Sequence, residues 1–391
     1  MRINPYYRLK YLSNVPYLIC FGQANADFCH DYRLDDTSVF LWEHMEKAAD
    51  VHDLTQIAAH HYNISPNQYT KLEEVVRSFT DSLYRYGILL PEYSVPRLEN
   101  EPVVFSIAGL YLRIWGPTDI LPRELLDFAC ASELSANKPV TDSALEIVIC
   151  SGTPSYTENG TLLLRNRELC VTDTGGRYIL FFPSFHQVTE AHIQKDGNRA
   201  FIYYAPGKLP VTTEEMSFTL RMLFLYYAQL HHMTALHSVS ILYNDRLWLF
   251  SGPSGTGKST HARLWQELYD AAVINGDLNL IAPGPDGPVV HGIPWCGTSG
   301  IYNTDTYPLG GIIFLRQAAE NKVHSLSNDS KQLLLLHRSP SPAWTCDLQD
   351  SILNMLDEIY EKVLICRLDC RPDAEAATLI KQEIDQFCSI K

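Results

Sequence analysis

"LFSGPSGTGKST", residues Leu249–Thr260, decides how this chain is read. Gly252, Gly257, Lys258 and Ser259 satisfy the pattern G-x-x-x-x-G-K-[ST]. An apolar run, "RLWLF", precedes the loop and a helix-like segment, "STHARLWQEL", follows it. Strand, glycine loop and helix in that order leave successive backbone N–H groups free to grip an anion. Gly252, Gly255 and Gly257 permit the sharp turn, and the helix N-terminus adds its dipole. The predicted nucleotide-binding set is Gly252, Ser254, Gly255, Thr256, Gly257, Lys258, Ser259 and Thr260, with ATP as the ligand. Lys258 is the movable cation for the β- and γ-phosphates, and the Ser259 hydroxyl is a ligand for Mg²⁺.

A nucleotide site also needs a carboxylate for the metal. "AAVINGDLNLI" supplies Asp277, nineteen residues after Lys258, which is one short helix and one strand later. A β-α-β reading puts it at the C-terminal end of a parallel strand beside the loop. There it would hold Mg²⁺, accept a proton from an attacking hydroxyl, or both. "NGD" also reads simply as a turn.

Outward from this pair, residues 213–233 form an amphipathic helix ending in "QLHHM", and "ALHSVSILYNDRLWLF" gives two strands around "YNDR". Downstream, Gly311–Leu315 reads as a buried parallel strand. The Gly-, Ser- and Thr-rich "GIPWCGTSGIYNT" before it is expected to lie over the site. The tail "LICRLDCRPDAEAATLIKQEI" adds a last strand and a helix. Residues 103–210 are β-rich, with runs at Val103–Ile107, Ala144–Ile149, Thr161–Leu164, Tyr178–Phe182 and Ala200–Tyr204 separated by turns such as "DTGG" and "KDGN".

The first 95 residues read as a separate α+β unit. Two β-like runs, Tyr7–Leu12 and Pro16–Phe21, flank "SNVP". Three helices follow. Asp36 or Thr37 caps the first, whose apolar face is Val39, Phe40, Trp42 and Met45. "VHDLTQIAAHHYN" is the second. The third is capped by Ser65, has Pro66 at its first position and stops at Gly87, with Leu72, Val75, Val76, Phe79 and Leu83 on one face. "PEYSVPRLENEPV" then reads as a linker, placed at residues 96–102. This is the order of a winged helix.

Composition bounds the function. The chain has 391 residues, 46% apolar and 19% charged, a length that suits two or three domains. No apolar stretch is long enough to span a bilayer, and "MRINPYYRLKYLSN" is too polar for a signal peptide, so the expected location is the cytoplasm. Net charge is −14, which opposes general nucleic-acid binding. Residues 1–95 carry 8 Lys and Arg against 12 Asp and Glu, which argues against a DNA-reading winged helix. The ten cysteines form no CxxC pair and are expected as free thiols.

Two family resemblances rest on these residues. "RLDDTSVFLWEHM", "DVHDLTQIAAHHYNIS" and "VVRSFTDSLYRYGILL" resemble the PqqD-like domain, the precursor-peptide recognition element. That resemblance implies binding of a leader peptide as an added strand against the third helix. From His237 onward the chain resembles the HPr kinase/phosphorylase superfamily, itself similar to phosphoenolpyruvate carboxykinases. The family has a histidine in a strand before the phosphate loop, matched by "ALHSVSI" at His237, and an aspartate pair after it, matched by "INGD" at Asp277. The first aspartate of the pair falls on Gly276, and Asp305 is nearby only in sequence.

The resemblance makes Asp277, His237 and Lys258 catalytic, with His237 orienting the acceptor hydroxyl or touching the γ-phosphate. A histidine in a strand is otherwise a core residue. "GIPWCG" resembles the "GxPWxG" segment of PqqD-associated HPr-kinase-like proteins, so Trp295, Thr298 and Ser299 are expected at the acceptor. Arg316 or Arg338 is the candidate to reach a phosphate.

The expected fold is α/β. A nucleotide core (residues 213–391) with a β-rich part (103–212) makes an HPr-kinase-like domain, preceded by the winged-helix unit. The expected activity is transfer of the ATP γ-phosphoryl group to a Ser or Thr hydroxyl of a small protein or ribosomally made precursor peptide. The superfamily resemblance also implies a possible homo-oligomer. Two alternatives stay open: a protein that binds nucleotide without chemistry, motivated by Gly276, and a kinase for a free metabolite such as serine.

Overall fold

The computed structural model describes residues 1–3, 7–21, 31–86, 88–90, 101–130, 144–152, 160–204, 213–360 and 362–390. The protein is mixed α/β, with several β-sheets and, among the described residues, nine α-helices. None of these helices is long and apolar enough to cross a membrane. The chain divides into two compact units. One comprises Met1–Asn100, Val148–Ile193 and Phe201–Glu215; the other comprises Glu101–Ile147, Gln194–Ala200 and Met216–Lys391.

Residues 1–90 hold β1 (Arg2–Ile3), β2 (Tyr7–Leu12), β3 (Val15–Cys20), β4 (Tyr32–Arg33) and β5 (Leu89–Leu90). A small antiparallel sheet, β2-β3-β4, opens the chain. Ser13 and Asn14 join β2 to β3 with φ of 47° and 66°, as a tight hairpin of this hand requires. Helices follow at Asp36–Met45, Val51–His61 and Tyr69–Arg85. The first is capped by Asp35, not by Asp36 or Thr37: the Asp35 carboxylate reaches back to the Ser38 amide at 2.7 Å. Pro66 opens a short 3₁₀ turn, Pro66–Gln68, ahead of the third helix. The Ser65 hydroxyl donates to the Gln68 side chain instead of capping an amide. Leu18, Leu41, Met45, Leu54, Ala58, Val76 and Leu83 form the core of this region. Val75 is an exception to the expected face, being 48% exposed. Gly87 and residues 96–100 of the expected linker lie outside the described residues.

The β-rich stretch carries β6 (Val103–Ile107), β7 (Leu110–Trp115), β8 (Ala144–Ser151), β9 (Thr161–Arg165), β10 (Cys170–Asp173), β11 (Arg177–Phe181), β12 (Val188–Gln194) and β13 (Arg199–Tyr204). In the first unit β9, β10 and β11 make an antiparallel meander. In the second, β6 and β7 form a hairpin.

The rest of the second unit begins within the Thr213–Leu230 helix, at Met216, followed by β14 (Thr234–Tyr243) and β15 (Arg246–Ser251). Asn244 and Asp245, both left-handed, turn one into the other. After the Lys258–Tyr269 helix come β16 (Ala272–Asn275), β17 (Leu278–Ala282), β18 (Val289–His291), β19 (Thr306–Gln317) and β20 (Lys322–Ser325). Helices Asn328–Leu336 and Cys346–Tyr360, β21 (Leu364–Cys370) and the Ala374–Ile390 helix complete the chain.

Strand β15 runs antiparallel to β14 and parallel to β19, which is parallel to β21. Because β17 and β18 link β14 to the start of β19, the strands β15, β14, β17, β18 and β19 close into a ring. Alternate residues of β15 face opposite ways. Trp248 and Phe250 pack with Trp265, Ile313, Leu368 and Ile380, toward the Lys258–Tyr269 and Ala374–Ile390 helices. Leu247 and Leu249 pack with Ile312, Phe314, Ile352 and Leu356, toward the Cys346–Tyr360 helix. Each such fully buried side chain contributes about 1.5–3 kcal/mol. Gly310 and Gly311 let Trp248 lie across β19: a Cβ at either would come within 2.8 Å of its ring.

Candidate functional site

The loop after β15 has the geometry its glycines suggest. Gly252, Gly255 and Gly257 take φ of 156°, 80° and 96°. A Cβ at Gly252 would lie 2.9 Å from the Leu315 carbonyl oxygen on β19, so only glycine lets the loop leave the sheet there. Two neighbours brace the loop: Gln317 at the end of β19 donates to the Gly255 carbonyl at 2.9 Å, and the Thr256 hydroxyl donates to the Pro253 carbonyl at 2.8 Å. The helix starts at Lys258 with no side chain capping its first amides. The amides of Lys258, Ser259 and Thr260 therefore open a helix N-terminus beside a glycine turn, an arrangement suited to an anion. Ser259 is exposed there, as are Ser254 and Gly255. The Lys258 ammonium folds back on the carbonyls of Gly252 and Pro253 at 3.0 and 3.3 Å.

Asp277 is reached by a different route from the one expected. It follows β16, which pairs with β14 and not with β15. Strands β16 and β15 share a direction but β14 lies between them, and the parallel neighbour of β15 is β19. The loop and Asp277 therefore belong to strands on opposite sides of β14. Both β16 and β17 pair with β14, and Gly276–Asp277 is the break between them. A buried polar network fixes this break. Asn275 accepts from the amides of Asp277 and Leu278 at 3.0 and 3.1 Å. The Ser240 hydroxyl accepts from the Asn275 amide at 2.9 Å, and Asn279 donates to the Ser238 carbonyl at 2.7 Å.

His237, on β14, brings Nε2 to Asp277 Oδ1 at 3.1 Å. Its side chain is 44% exposed, so it is a surface partner of the carboxylate and not a core histidine. The hydrogen bond from His237 holds the Asp277 carboxyl below its ordinary value. Burial opposes this, and the charges of His237, Arg221 and Lys258 reinforce it. Burial pushes the Lys258 ammonium down; Asp277 pulls it up and Arg338 pushes it down again. Arg338 follows the Asn328–Leu336 helix, and its carbonyl accepts from the His237 amide at 2.9 Å. One carboxylate thus lies among several cationic groups, a balance that favours a polyanion.

The stretch after β18 lies against this carboxylate. A Cβ at Gly297 would come within 2.9 Å of the Asp277 carboxyl carbon. Thr298 and Ser299 are exposed on the same short turn. Trp295 belongs elsewhere: it is 6% exposed, stacks obliquely on Phe224 at 5.1 Å and donates to the Ser217 carbonyl at 3.1 Å. It anchors the turn and does not face an acceptor. At the far end the Tyr302 hydroxyl donates to Asp127 at 2.5 Å, which pushes the phenol up to about 12.

Arg316 is engaged with Asp369, which also receives His324 and Arg367. Asp305 holds the base of the turn, its carbonyl accepting from Gly292 and its carboxylate facing the Tyr307 hydroxyl. Sequence reasoning passed over Arg221, because an arginine within a helix carries no local mark of what it will face. It also read Asn275 only as part of a turn, although "N-x-D" is the spacing of a side chain that caps the amide two residues on.

A cavity of about 600 Å³ elsewhere in this unit is lined by His232, Asp347, Asp350 and Glu358, and its carboxylates oppose a phosphate. Among the described residues no cluster of three or more His, Cys, Asp or Glu side chains could hold a metal ion, and the nine described cysteines are free thiols. In comparisons with known proteins, no family model matches the chain and no curated protein matches it.

Proposed function

We propose that the chain is an ATP-dependent kinase of the HPr-kinase-like type, transferring the γ-phosphoryl group to a Ser or Thr hydroxyl of a small protein or precursor peptide. The observation that carries this reading is the His237–Asp277 pair at 3.1 Å, with Lys258 of the glycine loop coupled electrostatically to the same carboxylate. A phosphate loop alone argues for binding. A carboxylate kept ionised and oriented beside it argues for chemistry.

In this reading the amides of Gly252 and of residues 254–260 receive the phosphates, and Lys258 exchanges the carbonyls of Gly252 and Pro253 for phosphate oxygens. Ser259 and Asp277 are the oxygen donors available for Mg²⁺, a hard cation that would neutralise charge on the phosphates. Asp277 accepts the proton of the attacking hydroxyl, and His237 holds the carboxylate in place. Positioning and charge neutralisation supply most of the acceleration in such transfers. Residues 1–90 resemble the PqqD-like recognition element, and a leader peptide held there would raise the local concentration of its own hydroxyls.

Gly276 supports a second reading, nucleotide binding without transfer, because a second carboxylate is missing beside Asp277. A kinase for a free metabolite such as serine is distinguished by activity on that metabolite alone. A calorimetric titration with MgATP, followed by an assay of ADP release with candidate acceptors, separates the three. The kinase reading expects saturable ATP binding that Lys258→Ala weakens at least tenfold and acceptor-dependent ADP release that Asp277→Asn abolishes. Tight ATP binding with no release on any acceptor would leave the second reading standing.

A further inference from the structure

The turn Cys296–Ile301 is fitted to the place beside Asp277. A Cβ on Gly276 would lie 2.0 Å from the Ser299 hydroxyl oxygen and 2.5 Å from its Cβ. Glycine at 276 therefore does not leave a gap where a side chain is lacking; it admits a serine hydroxyl to the residue preceding the carboxylate. The backbone of Gly297 lies against the carboxyl group of Asp277 itself. The Gly276 amide donates to the Ile301 carbonyl at 3.1 Å, which ties the turn to the Asp277 strand break from the other side.

Both flanks of the turn are anchored, by Trp295 on the Ser217 carbonyl and by Tyr302 on Asp127. Between them Gly297 and Gly300 are both left-handed, at φ of 59° and 65°, and Ser299 lies between these two glycines. The residue is exposed, and its hydroxyl, set against Gly276, donates to the Cys296 carbonyl at 2.6 Å and accepts from the Ile301 amide at 3.1 Å.

We infer that Ser299 is a phosphorylation site of the protein's own making: the hydroxyl on this turn occupies the acceptor position and takes the γ-phosphoryl group of a nucleoside triphosphate. The inference rests on the kinase reading. In the step, Ser299 Oγ forms a bond to the γ-phosphorus, the bond between that phosphorus and the β,γ-bridging oxygen breaks, the diphosphate leaves with the electron pair, and the hydroxyl proton passes to Asp277. The product places a phosphate of about −1.5 to −2 charge next to the Asp277 carboxylate. Like charges on neighbouring segments repel, and the acceptor position is filled, so the modified protein is closed to a second acceptor.

The test uses the full chain with MgATP and no peptide, read by intact mass, by fragmentation of the modified peptide and, in parallel, by ATP titration. Wild type is expected to gain roughly 80 Da, one phosphoryl group, mapped to residue 299. Ser299→Ala is expected to lose the gain while binding ATP as wild type does. Ser299→Thr, which keeps a hydroxyl, is expected to retain it. The rate should not change on dilution, because donor and acceptor belong to one chain. If ATP binds and a peptide acceptor is phosphorylated while residue 299 stays unmodified, or if the phosphate maps elsewhere, the inference is overturned and the kinase reading survives. If no ATP binds, both fall.

Discussion

Gly276 and Asp277 are adjacent and carry opposite requirements. Asp277 must stay ionised, and His237 sees to that. Its folded value is lowered, so the stability it contributes is present above the ordinary carboxylate value of about 3.9 and is lost as pH falls through the lower folded value. On the proposed kinase reading, Asp277→Asn keeps the shape and removes the proton acceptor, so turnover should fall by at least about 10²–10⁴-fold; a steady-state comparison of the two proteins checks this. Gly276 must stay small. Gly276→Ala would drive a methyl group into Ser299 and displace the turn, at a cost of about 1–3 kcal/mol for overpacking. Hydrogen exchange should show the loss as faster exchange confined to residues 296–301, and unchanged exchange there would contradict the contact.

At the level of elements, the helix before β14, the helix after the glycine loop, the last helix and the strands β14, β15, β16, β19 and β21 were legible because their signals are local, whereas the helices Asn328–Leu336 and Cys346–Tyr360 and the strands β17, β18 and β20 were not read. "YNDR" between two apolar runs marks the β14–β15 hairpin, and Gly311–Leu315 is the buried centre of β19. Within the β-rich stretch three strands escaped, for different reasons. Strand β10 is only four residues long. Strand β12 buries Glu190 and His192 against each other at 3.2 Å, so its polar residues imitate an exposed segment. Strand β7 alternates cleanly, and nothing physical hides it.

The strand neighbours of Asp277 were not legible. Strand direction relative to β15 follows from the chain, but which strand intervenes is decided by long-range pairing. Two outcomes belong to this scale. Gly310→Ala would place a methyl 2.6 Å from Trp248 and should lower the melting temperature by several degrees in a thermal scan. His261, on the first turn of the Lys258–Tyr269 helix, is buried edge-on to Phe250, and burial takes its imidazole down to about 4. The unfolded chain binds that proton from about 6.5 downward, so stability should fall by about 3 kcal/mol between those two values as pH drops. Denaturant titrations of His261→Phe should lack that slope.

At the scale of the whole chain, composition argued against a membrane-crossing helix, none of the described helices is long and apolar enough to be one, and composition was silent about the division of the β-rich stretch. Residues Val148–Ile193 and Phe201–Glu215 group with Met1–Asn100, whereas Glu101–Ile147 groups with the strands around the site. Such interleaving comes from long-range pairing and leaves no composition shift to read. An acidic chain with net charge −14 nonetheless brings Arg221 and Lys258 to one carboxylate and Arg338 to Lys258, positive charge placed where a polyanion would bind. The central claim is that this site moves a phosphoryl group. Its most direct test is intact mass spectrometry of peptides encoded beside the gene, incubated with the protein and MgATP. The account predicts a gain of about 80 Da on a Ser or Thr, abolished by Asp277→Asn and by Lys258→Ala. Acceptors that never gain mass, nor any phosphate on the protein itself, while ATP binds tightly, would contradict it.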